Sequence, residues 1–345
     1  MTKDKKQIFQ NNFSGDPSSE PLRIANEAPP WRCFGKKESS DGEFKVRDMP
    51  ERQKLLGENF VPVANEARMV DAALVLRRPL LIEGDPGTGK TSLAYSVAWQ
   101  LGLGEVFKWP ITSRSTLKEA LYQYDAIARL QAASLAKSTS GNGQANEAPD
   151  IGDYLTLGPL GSALVPNGDG PYQPRVLLID EIDKSDIDLP NDLLHIMEEG
   201  SFVIPEIKRL KLEQPAEVRL YDSSQETYHV PTDGRIICDD FPLVIMTTNG
   251  EREFSPAFKR RCLTVSMDRP KEHKLKNILT AYEQDLSHQD AQSQLKDFLA
   301  KLESQNQMAV DQLLNAVYLT SSNADVNPEQ NPVIKEAVLK SLSQN

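Results

Sequence analysis

The sequence predicts an α/β fold built around a parallel sheet and followed by a second domain made of helices. Short apolar runs with the character of buried strands lie at residues 80–82, 106–111, 176–179 and 243–246. Segments with helical apolar spacing separate these runs, and strands that alternate with helices form parallel sheets. A glycine-rich loop joins the first strand directly to a helix, and from about residue 270 the pattern stays helical.

The composition describes a soluble globular protein of 345 residues, of which 39% are hydrophobic and 26% charged. The formal net charge of −11 argues against broad attachment to nucleic acid or to an anionic membrane. No stretch approaches the roughly 18 to 20 apolar residues that cross a bilayer, and the first residues lack the apolar run of a secretory signal. Three scattered cysteines suit free thiols in a reducing compartment. We therefore expect a cytoplasmic protein.

Three regions are expected along the chain. Residues 1–50 carry proline, serine, glycine and charge with little periodicity, which predicts a poorly ordered N-terminal arm with a docking point at residues 31–34. Residues 51–268 hold the α/β core, and residues 269–345 form the helical second domain.

Two segments interrupt the simple order of the core. The first lies near residues 115–166, where residues 115–136 predict one long helix and the Ser-, Gly- and Asn-rich residues 137–150 predict a mobile loop. The second lies near residues 200–241, where apolar and polar side chains alternate around turn residues. This alternation predicts one or more hairpins.

The glycine-rich loop, Gly-Asp-Pro-Gly-Thr-Gly-Lys-Thr at residues 84–91, predicts a site for the phosphates of a nucleotide. Its glycines allow the backbone to curl so that N–H groups and the helix N-terminus point at the phosphates. Lys90 supplies a positive charge at the β- and γ-phosphates, and the Thr91 hydroxyl is suited to bind Mg²⁺. The candidate ATP-binding residues are Gly84, Asp85, Pro86, Gly87, Thr88, Gly89, Lys90, Thr91 and Ser92. The alternative is a chance glycine turn, which the complete pattern between a strand and a helix disfavours.

Two adjacent carboxylates, Asp180 and Glu181, end the third predicted strand. Acidic side chains at the end of a buried strand are costly unless a cation meets them, and Mg²⁺ with ATP is such a cation. Asp180 is therefore the candidate metal ligand together with Thr91, and Glu181 is the candidate to orient and polarise the attacking water. The alternative is a strand end followed by an acid at a helix N-cap. The solvated start of the next helix is expected to hold three further aspartates, Asp183, Asp186 and Asp188.

The fourth predicted strand ends in two threonines and Asn249. Because ligands bind at the carboxyl edge of a parallel sheet, Asn249 is a candidate to bond the γ-phosphate or the attacking water. The alternative is that this asparagine only completes a turn.

A basic cluster follows at Lys259, Arg260 and Arg261. Such clusters are usually solvated surface. An arginine here is also able to reach the γ-phosphate held by an adjacent subunit and to stabilise charge in the transition state, which is the role of an arginine finger. Arg261, immediately before an apolar strand, is the favoured candidate to act in trans, and Arg260 is its alternative.

In this order the motifs resemble those of the AAA+ ATPases, and in particular of the MoxR-like group, over residues 58 to about 268. Residues 84–92 resemble the Walker A motif, residues 177–183 the Walker B motif, and residues 245–251 the sensor-1 strand. Two further segments resemble elements of the MoxR-like group, namely Leu-Gly-Pro-Leu at 157–160 and Asp-Leu-Leu-His-Ile-Met-Glu-Glu at 192–199.

The resemblance implies a three-layer αβα core, a helical lid domain and a ring, commonly a hexamer, whose active sites are shared between subunits. It also implies extra elements in the second helix and a hairpin before sensor 1, which residues 115–166 and 200–241 fit. Residues 59–63 correspond to a wall of the adenine pocket. The implied partner is a protein with a von Willebrand A domain.

One departure concerns the lid. AAA+ lids usually present a sensor-2 arginine to the γ-phosphate, yet no arginine follows Arg269 in this chain. Lys335, near the start of a predicted helix, is the substitute candidate, although a solvated helix lysine is the more ordinary interpretation.

The leading hypothesis is an ATP-driven, chaperone-like remodeller of protein complexes. A second hypothesis is an ATP-gated assembly switch with slow hydrolysis in a signalling or defence complex, motivated by the missing lid arginine. A third is a motor on nucleic acid, whose only local support is the basic patch of Lys208, Arg209 and Lys211.

Overall fold

A computed structural model describes residues 8–10, 28–35, 44–139, 149–167, 172–221, 226–281, 293, 295–300, 310–321, 334 and 338. The strands are β1 (Leu80–Gly84), β2 (Val106–Pro110), β3 (Tyr122–Tyr124), β4 (Leu155–Leu157), β5 (Val176–Asp180), β6 (Ser201–Val203), β7 (Ala216–Arg219), β8 (Thr227–Val230), β9 (Arg235–Ile237), β10 (Leu243–Thr248) and β11 (Leu263–Met267). The α-helices are α1 (Glu51–Glu58), α2 (Ala64–Leu76), α3 (Lys90–Gln100), α4 (Leu117–Leu121), α5 (Ala126–Thr139), α6 (Pro159–Ala163), α7 (Leu189–Glu199), α8 (Pro205–Leu210), α9 (Pro256–Arg261), α10 (Glu272–Ala281) and α11 (Val310–Ser321).

Five parallel strands form the central sheet, in the order β11-β1-β10-β5-β2. Four of them coincide with the apolar runs seen in the sequence, and all six residues of β10 are buried. Strands that are covered on both faces have continuous apolar sequences, which explains why these four could be recognised. The α/β prediction with a parallel sheet is confirmed.

Alternate residues of each strand point to opposite faces of the sheet, and this alternation separates two hydrophobic layers. On one face, Leu80 and Ile82 pack with α2 and α3. On the other face, Leu177 and Ile179 pack with α6, α7 and the inserted segments. The core therefore has three layers, helices on both sides of one sheet.

The prediction of one long helix over residues 115–136 is wrong. Helix α4 begins at a capping box in which the Thr116 hydroxyl accepts from the Glu119 N–H at 3.3 Å, and it ends after Leu121. The chain then becomes extended, and Tyr122 pairs antiparallel with Leu157 of β4. A separate helix, α5, begins directly after Asp125, whose carboxylate accepts a hydrogen bond from the N–H of Ala128 at 2.8 Å. Pairing with a distant strand overrides the local helical pattern.

The segment at residues 200–241 contains the predicted hairpin and one additional helix. Strands β7 and β8 form the antiparallel hairpin, and β6 pairs antiparallel with β9. Between β6 and β7 lies α8, which opens with Pro205 at its first position, where proline is well tolerated.

The described parts of the N-terminal arm lie against the core. Phe9 is fully buried, and its N–H donates to the Asp71 carboxylate at 2.7 Å. At the expected docking point, Arg32 donates to the Met197 carbonyl at 2.6 Å, whereas Trp31 remains 77% exposed. The other residues of the arm, and most of the predicted loop at 137–150, lie outside the described residues.

The chain after β11, called here the helical tail, comprises α10, helical residues 295–300 and α11 in its described part. These helices pack on one another through apolar side chains such as Leu279, Phe298 and Val317. Lys335 lies outside the described residues. No helix in the described part of the chain has the length and apolar character needed to cross a membrane.

Candidate functional site

A cleft of about 390 Å³ opens at the carboxyl edge of the central sheet. The glycine-rich loop and the first turn of α3 form its floor, and the ends of β5 and β10 form one wall. The helical tail and the residues before α2 close it from the other side. The lining residues are Leu56, Asn59, Phe60, Pro86, Gly87, Thr88, Gly89, Lys90, Thr91, Ser92, Asp180, Glu181, Thr247, Asn249, Ile278, Val310, Asp311 and Leu314.

The glycine-rich loop has the backbone that a phosphate cradle requires. Gly87 and Gly89 adopt φ values of 75° and 91°, in the region that favours glycine. A Cβ atom on Gly84 would lie 2.6 Å from the Met267 carbonyl oxygen, so any larger residue would displace the loop from β11. With the N-terminus of α3 directly behind it, the loop fits the phosphate groups of a nucleotide.

Lys90 connects the loop to the end of β10. Its buried ammonium group donates to the carbonyl oxygens of Gly84 at 2.7 Å and Asp85 at 2.8 Å, and to Oδ1 of Asn249 at 2.8 Å. Burial lowers the pKa of Lys90, and nearby carboxylates, Asp183 first, oppose that shift. The cation is therefore already placed at the floor of the cleft.

Asp180 is surrounded by donors. Its Oδ1 accepts from the hydroxyls of Thr247 at 2.7 Å and Thr91 at 3.0 Å, and its Oδ2 pairs with the Lys108 ammonium at 2.7 Å. Burial raises the pKa of Asp180, but the hydrogen bonds from Lys108, Thr247 and Thr91 outweigh it and hold the pKa below its ordinary value. The two candidate metal ligands, Thr91 and Asp180, are thus adjacent, and their oxygen atoms suit Mg²⁺.

Glu181 turns away from the strand into the cleft wall. It adopts φ 60° and ψ 51°, a left-handed conformation that costs a residue with a side chain about 1 to 3 kcal/mol. Its N–H donates to the Thr247 hydroxyl at 2.8 Å, and its half-exposed carboxylate pairs with Lys184 at 2.8 Å. Strain of this kind is concentrated at functional sites.

The expectation that Asp183 lies on a solvated helix start is wrong. The chain folds into a 3-10 turn at Ile182–Lys184 and carries Asp183 inward, where it is only 6% exposed. Its Oδ2 accepts the backbone N–H groups of Asn249 at 2.9 Å and Glu251 at 3.2 Å. The two aspartates that follow in the chain, Asp186 and Asp188, are exposed as expected.

Arg261 lies at the opposite edge of the sheet. It precedes Leu263, which pairs with Leu80 at the start of β1, whereas the glycine-rich loop begins at the other end of β1. The four residue steps along that strand span about 13 Å. The Arg261 guanidinium pairs with Glu198 of α7 and is not among the described residues that line the cleft of its own chain. The neighbouring Arg260 is exposed.

Part of the cleft lining is apolar. Leu56 and Phe60 line the cleft together with Ile278 and Leu314 of the helical tail. Asn59 and Phe60 belong to the segment expected to form an adenine wall. Within the described part of the tail, the charged residue on the cleft wall is Asp311.

An ion pair links the helical tail to the core near Phe60 of the cleft lining. Lys274 of α10 pairs with the buried Glu66 of α2 at 3.2 Å, and its ammonium lies 5.4 Å from the centre of the Phe60 ring. The tail is therefore held next to the cleft by charge as well as by apolar contact.

Sequence reasoning missed several of these residues. Lys108 was part of an apolar strand, in which a lone lysine is an unusual residue and hence a signal. Asp183 and Thr247 carried no local signal, because their partners lie 66 or more residues away along the chain. The tail residues Ile278 and Leu314 were indistinguishable from ordinary core positions of a helix.

Comparison with known proteins gives two matches. The AAA domain family, dynein-related subfamily, matches residues 79–262, which is more than half of the 345 residues. Protein CbbQ of Allochromatium vinosum is 42% identical over 43 residues, which are 12% of this chain and 58% of that relative. The match thus spans less than two thirds of the relative's own length. The chain belongs to the AAA domain family in its dynein-related subfamily and is an AAA+ ATPase.

Proposed function

We propose that this ATPase works as a ring of identical subunits, commonly a hexamer in the group it resembles, and remodels a protein complex in the manner of a chaperone. The observation that carries the proposal is the position of Arg261 at the sheet edge opposite the cleft. The cleft contains a lysine ammonium group, two carboxylates and an amide, but the candidate finger arginine lies at the far edge of the sheet. A neighbouring copy therefore completes the cleft.

The inserted segment supports contact with a client protein. Helix α5 exposes Ile127, Leu130 and Leu135 to 72%, 69% and 67%. Exposed apolar side chains grouped on one helix are suited to binding another protein. By the MoxR-like resemblance, the proposed partner class is a protein with a von Willebrand A domain.

The proposed roles follow from the contacts in the cleft. Lys90 and the loop, residues 84–92, hold the phosphates, and Thr91 with Asp180 holds Mg²⁺, which neutralises phosphate charge when bound. Glu181 orients and polarises the attacking water. The Asn249 carbonyl end faces Lys90, so its amide end is the donor directed to the γ-phosphate. We also propose that residues 269–345 act as a lid over the adenine base of the bound ATP.

Particle size and turnover test the proposal together. We expect a ring-sized particle with a slowly hydrolysed ATP analogue, a smaller or looser particle with ADP, and repeated turnover of ATP when Mg²⁺ is present. Mass photometry and a phosphate-release assay measure both quantities. A protein that stays monomeric under all conditions would contradict the ring. A monomer that turns over ATP at the full rate would contradict it as well.

The assembly switch remains the second candidate because of the tail. No arginine follows Arg269, and the described tail presents Asp311 to the cleft, where a cation would favour hydrolysis. A ring that forms with ATP and hardly hydrolyses it would favour the switch over the remodeller.

A nucleic-acid motor requires that DNA or RNA bind at moderate salt or stimulate hydrolysis through the exposed Lys208, Arg209 and Lys211.

The ion pair between Lys108 and Asp180 yields a prediction about magnesium. A lysine 2.7 Å from the proposed metal ligand competes with Mg²⁺ for the same carboxylate. We expect Lys108→Met to lower the Mg²⁺ concentration for half-maximal binding of a fluorescent ATP analogue about three- to tenfold. The matched control is Lys118→Met, a lysine that pairs with Glu206 instead. A higher magnesium requirement in Lys108→Met would mean that this lysine assists the metal.

A further inference from the structure

Asp183 is a buried carboxylate to which the mechanism above gives no task. A buried charge is costly unless it is paired or hydrogen-bonded, so its retention needs a reason. Its Oδ2 atom accepts two backbone N–H groups, from Asn249 and Glu251, which stand on either side of Gly250. Its Oδ1 is buried without a hydrogen-bond partner among the described residues.

The loop that Asp183 bonds lies between the end of β10 and Arg252. Gly250 adopts φ 77°, and a Cβ atom built on it would meet nothing within 4 Å, so side-chain packing does not fix the backbone there. Two other restraints lie nearby. The Gly250 N–H donates to the Thr248 hydroxyl at 3.0 Å, and the Arg252 guanidinium donates to the Ser185 carbonyl at 2.9 Å and to the Ser185 hydroxyl at 3.1 Å. Neither of these restraints binds the N–H groups of Asn249 and Glu251, which both donate to Asp183 instead. The two bonds to Asp183 therefore hold the backbone on both sides of Gly250.

A continuous path leads from this carboxylate to the phosphate floor. Asp183 bonds the Asn249 backbone, and the Asn249 side chain accepts from the Lys90 ammonium at 2.8 Å. A carboxylate close to Lys90 also opposes the loss of its charge on burial. Displacing the loop would move the Asn249 amide and remove an acceptor from Lys90 at once.

We propose that Asp183 is a positioning residue for ATP hydrolysis, which clamps the backbone on both sides of Gly250 and so aims the Asn249 side chain at the γ-phosphate. The inference rests on the proposed role of Asn249. It assigns Asp183 no contact with the nucleotide, so nucleotide affinity should change less than turnover.

The clamp is first tested without nucleotide. Hydrogen exchange of the peptide that contains residues 249–251 should be at least about tenfold faster in Asp183→Ala than in the parent protein, because two amide hydrogen bonds are lost. Asp183→Asn keeps an acceptor oxygen and should exchange at an intermediate rate. The control is Asp186→Ala, an exposed aspartate that follows the same turn, which should leave this exchange unchanged. Unchanged exchange in both Asp183 variants would overturn the clamp.

A double-mutant cycle then separates positioning from general support. We expect Asp183→Ala to lower kcat about 10- to 100-fold with ATP-analogue affinity within about threefold. The double variant Asp183→Ala with Asn249→Ala should be no slower than Asn249→Ala alone, because both remove one function. Multiplied losses would overturn the inference. If Asn249→Ala alone leaves kcat unchanged, the proposed role of Asn249 fails; if it is slow while Asp183→Ala and Asp183→Asn are normal, only the clamp fails.

Discussion

Glu181→Gln is expected to bind ATP normally and to hydrolyse it about 10²- to 10³-fold more slowly than the parent protein, which is the range that a positioned general base contributes. The change keeps size and shape but removes the negative charge that polarises water. Glutamine retains an oxygen that can accept from Lys184, so the local pairing at 2.8 Å survives in weaker form. Single-turnover hydrolysis and equilibrium binding of an ATP analogue measure the two quantities separately.

The left-handed backbone of Glu181 makes this substitution safer to interpret than alanine. Glutamine occupies the same φ 60°, ψ 51° conformation, and the bond from the residue 181 N–H to Thr247 does not involve the side chain. Glu213→Gln, at an exposed loop position, is the matched control for the chemical change. Unaltered turnover in Glu181→Gln would contradict the proposed mechanism, because Glu181 is the residue proposed to polarise the attacking water.

Much of the nucleotide side of this site was predictable because it is local in sequence. The segment 84–91 contains its own turn, its own helix start and its own cation, and each property follows from residue types at fixed spacing. Helices α2 and α7 are also local in this sense, because their segments have helical apolar spacing and end at stop signals, Arg-Arg-Pro after α2 and Gly200 after α7.

The remainder depended on contacts that connect distant parts of the chain. Tyr122 becomes extended because it pairs with Leu157, and no residue between them reveals that choice. The sequence around Asp183 is typical of a solvated helix start, and only the bonds from Asn249 and Glu251 explain why Asp183 is buried. Lys108 reaches Asp180 because β2 lies beside β5, which is a property of sheet order and not of either strand.

The finger arginine is the proposed part of the site that a single chain cannot supply to itself. We expect Arg261→Ala to retain ATP binding and to lose hydrolysis by at least about 100-fold, since arginine fingers contribute about 10³- to 10⁵-fold in related phosphoryl transfers. The pair with Glu198 is partly exposed, and such pairs stabilise a fold by at most about 1 kcal/mol. Loss of activity with an intact particle would therefore report on the finger and not on folding.

Mixing two inactive variants tests whether the finger acts in trans. A Lys90→Ala subunit cannot use its own cleft but still carries Arg261, so it should complete the cleft of an Arg261→Ala neighbour. In a randomly mixed ring at equal amounts, about a quarter of the junctions pair an intact cleft with an intact finger, and about that share of parent activity is expected. Arg260→Ala, run in parallel, decides between the two arginines, because only the variant that lacks the finger should be both inactive and rescued. A normal ring without rescue would point to an active site that each subunit completes alone.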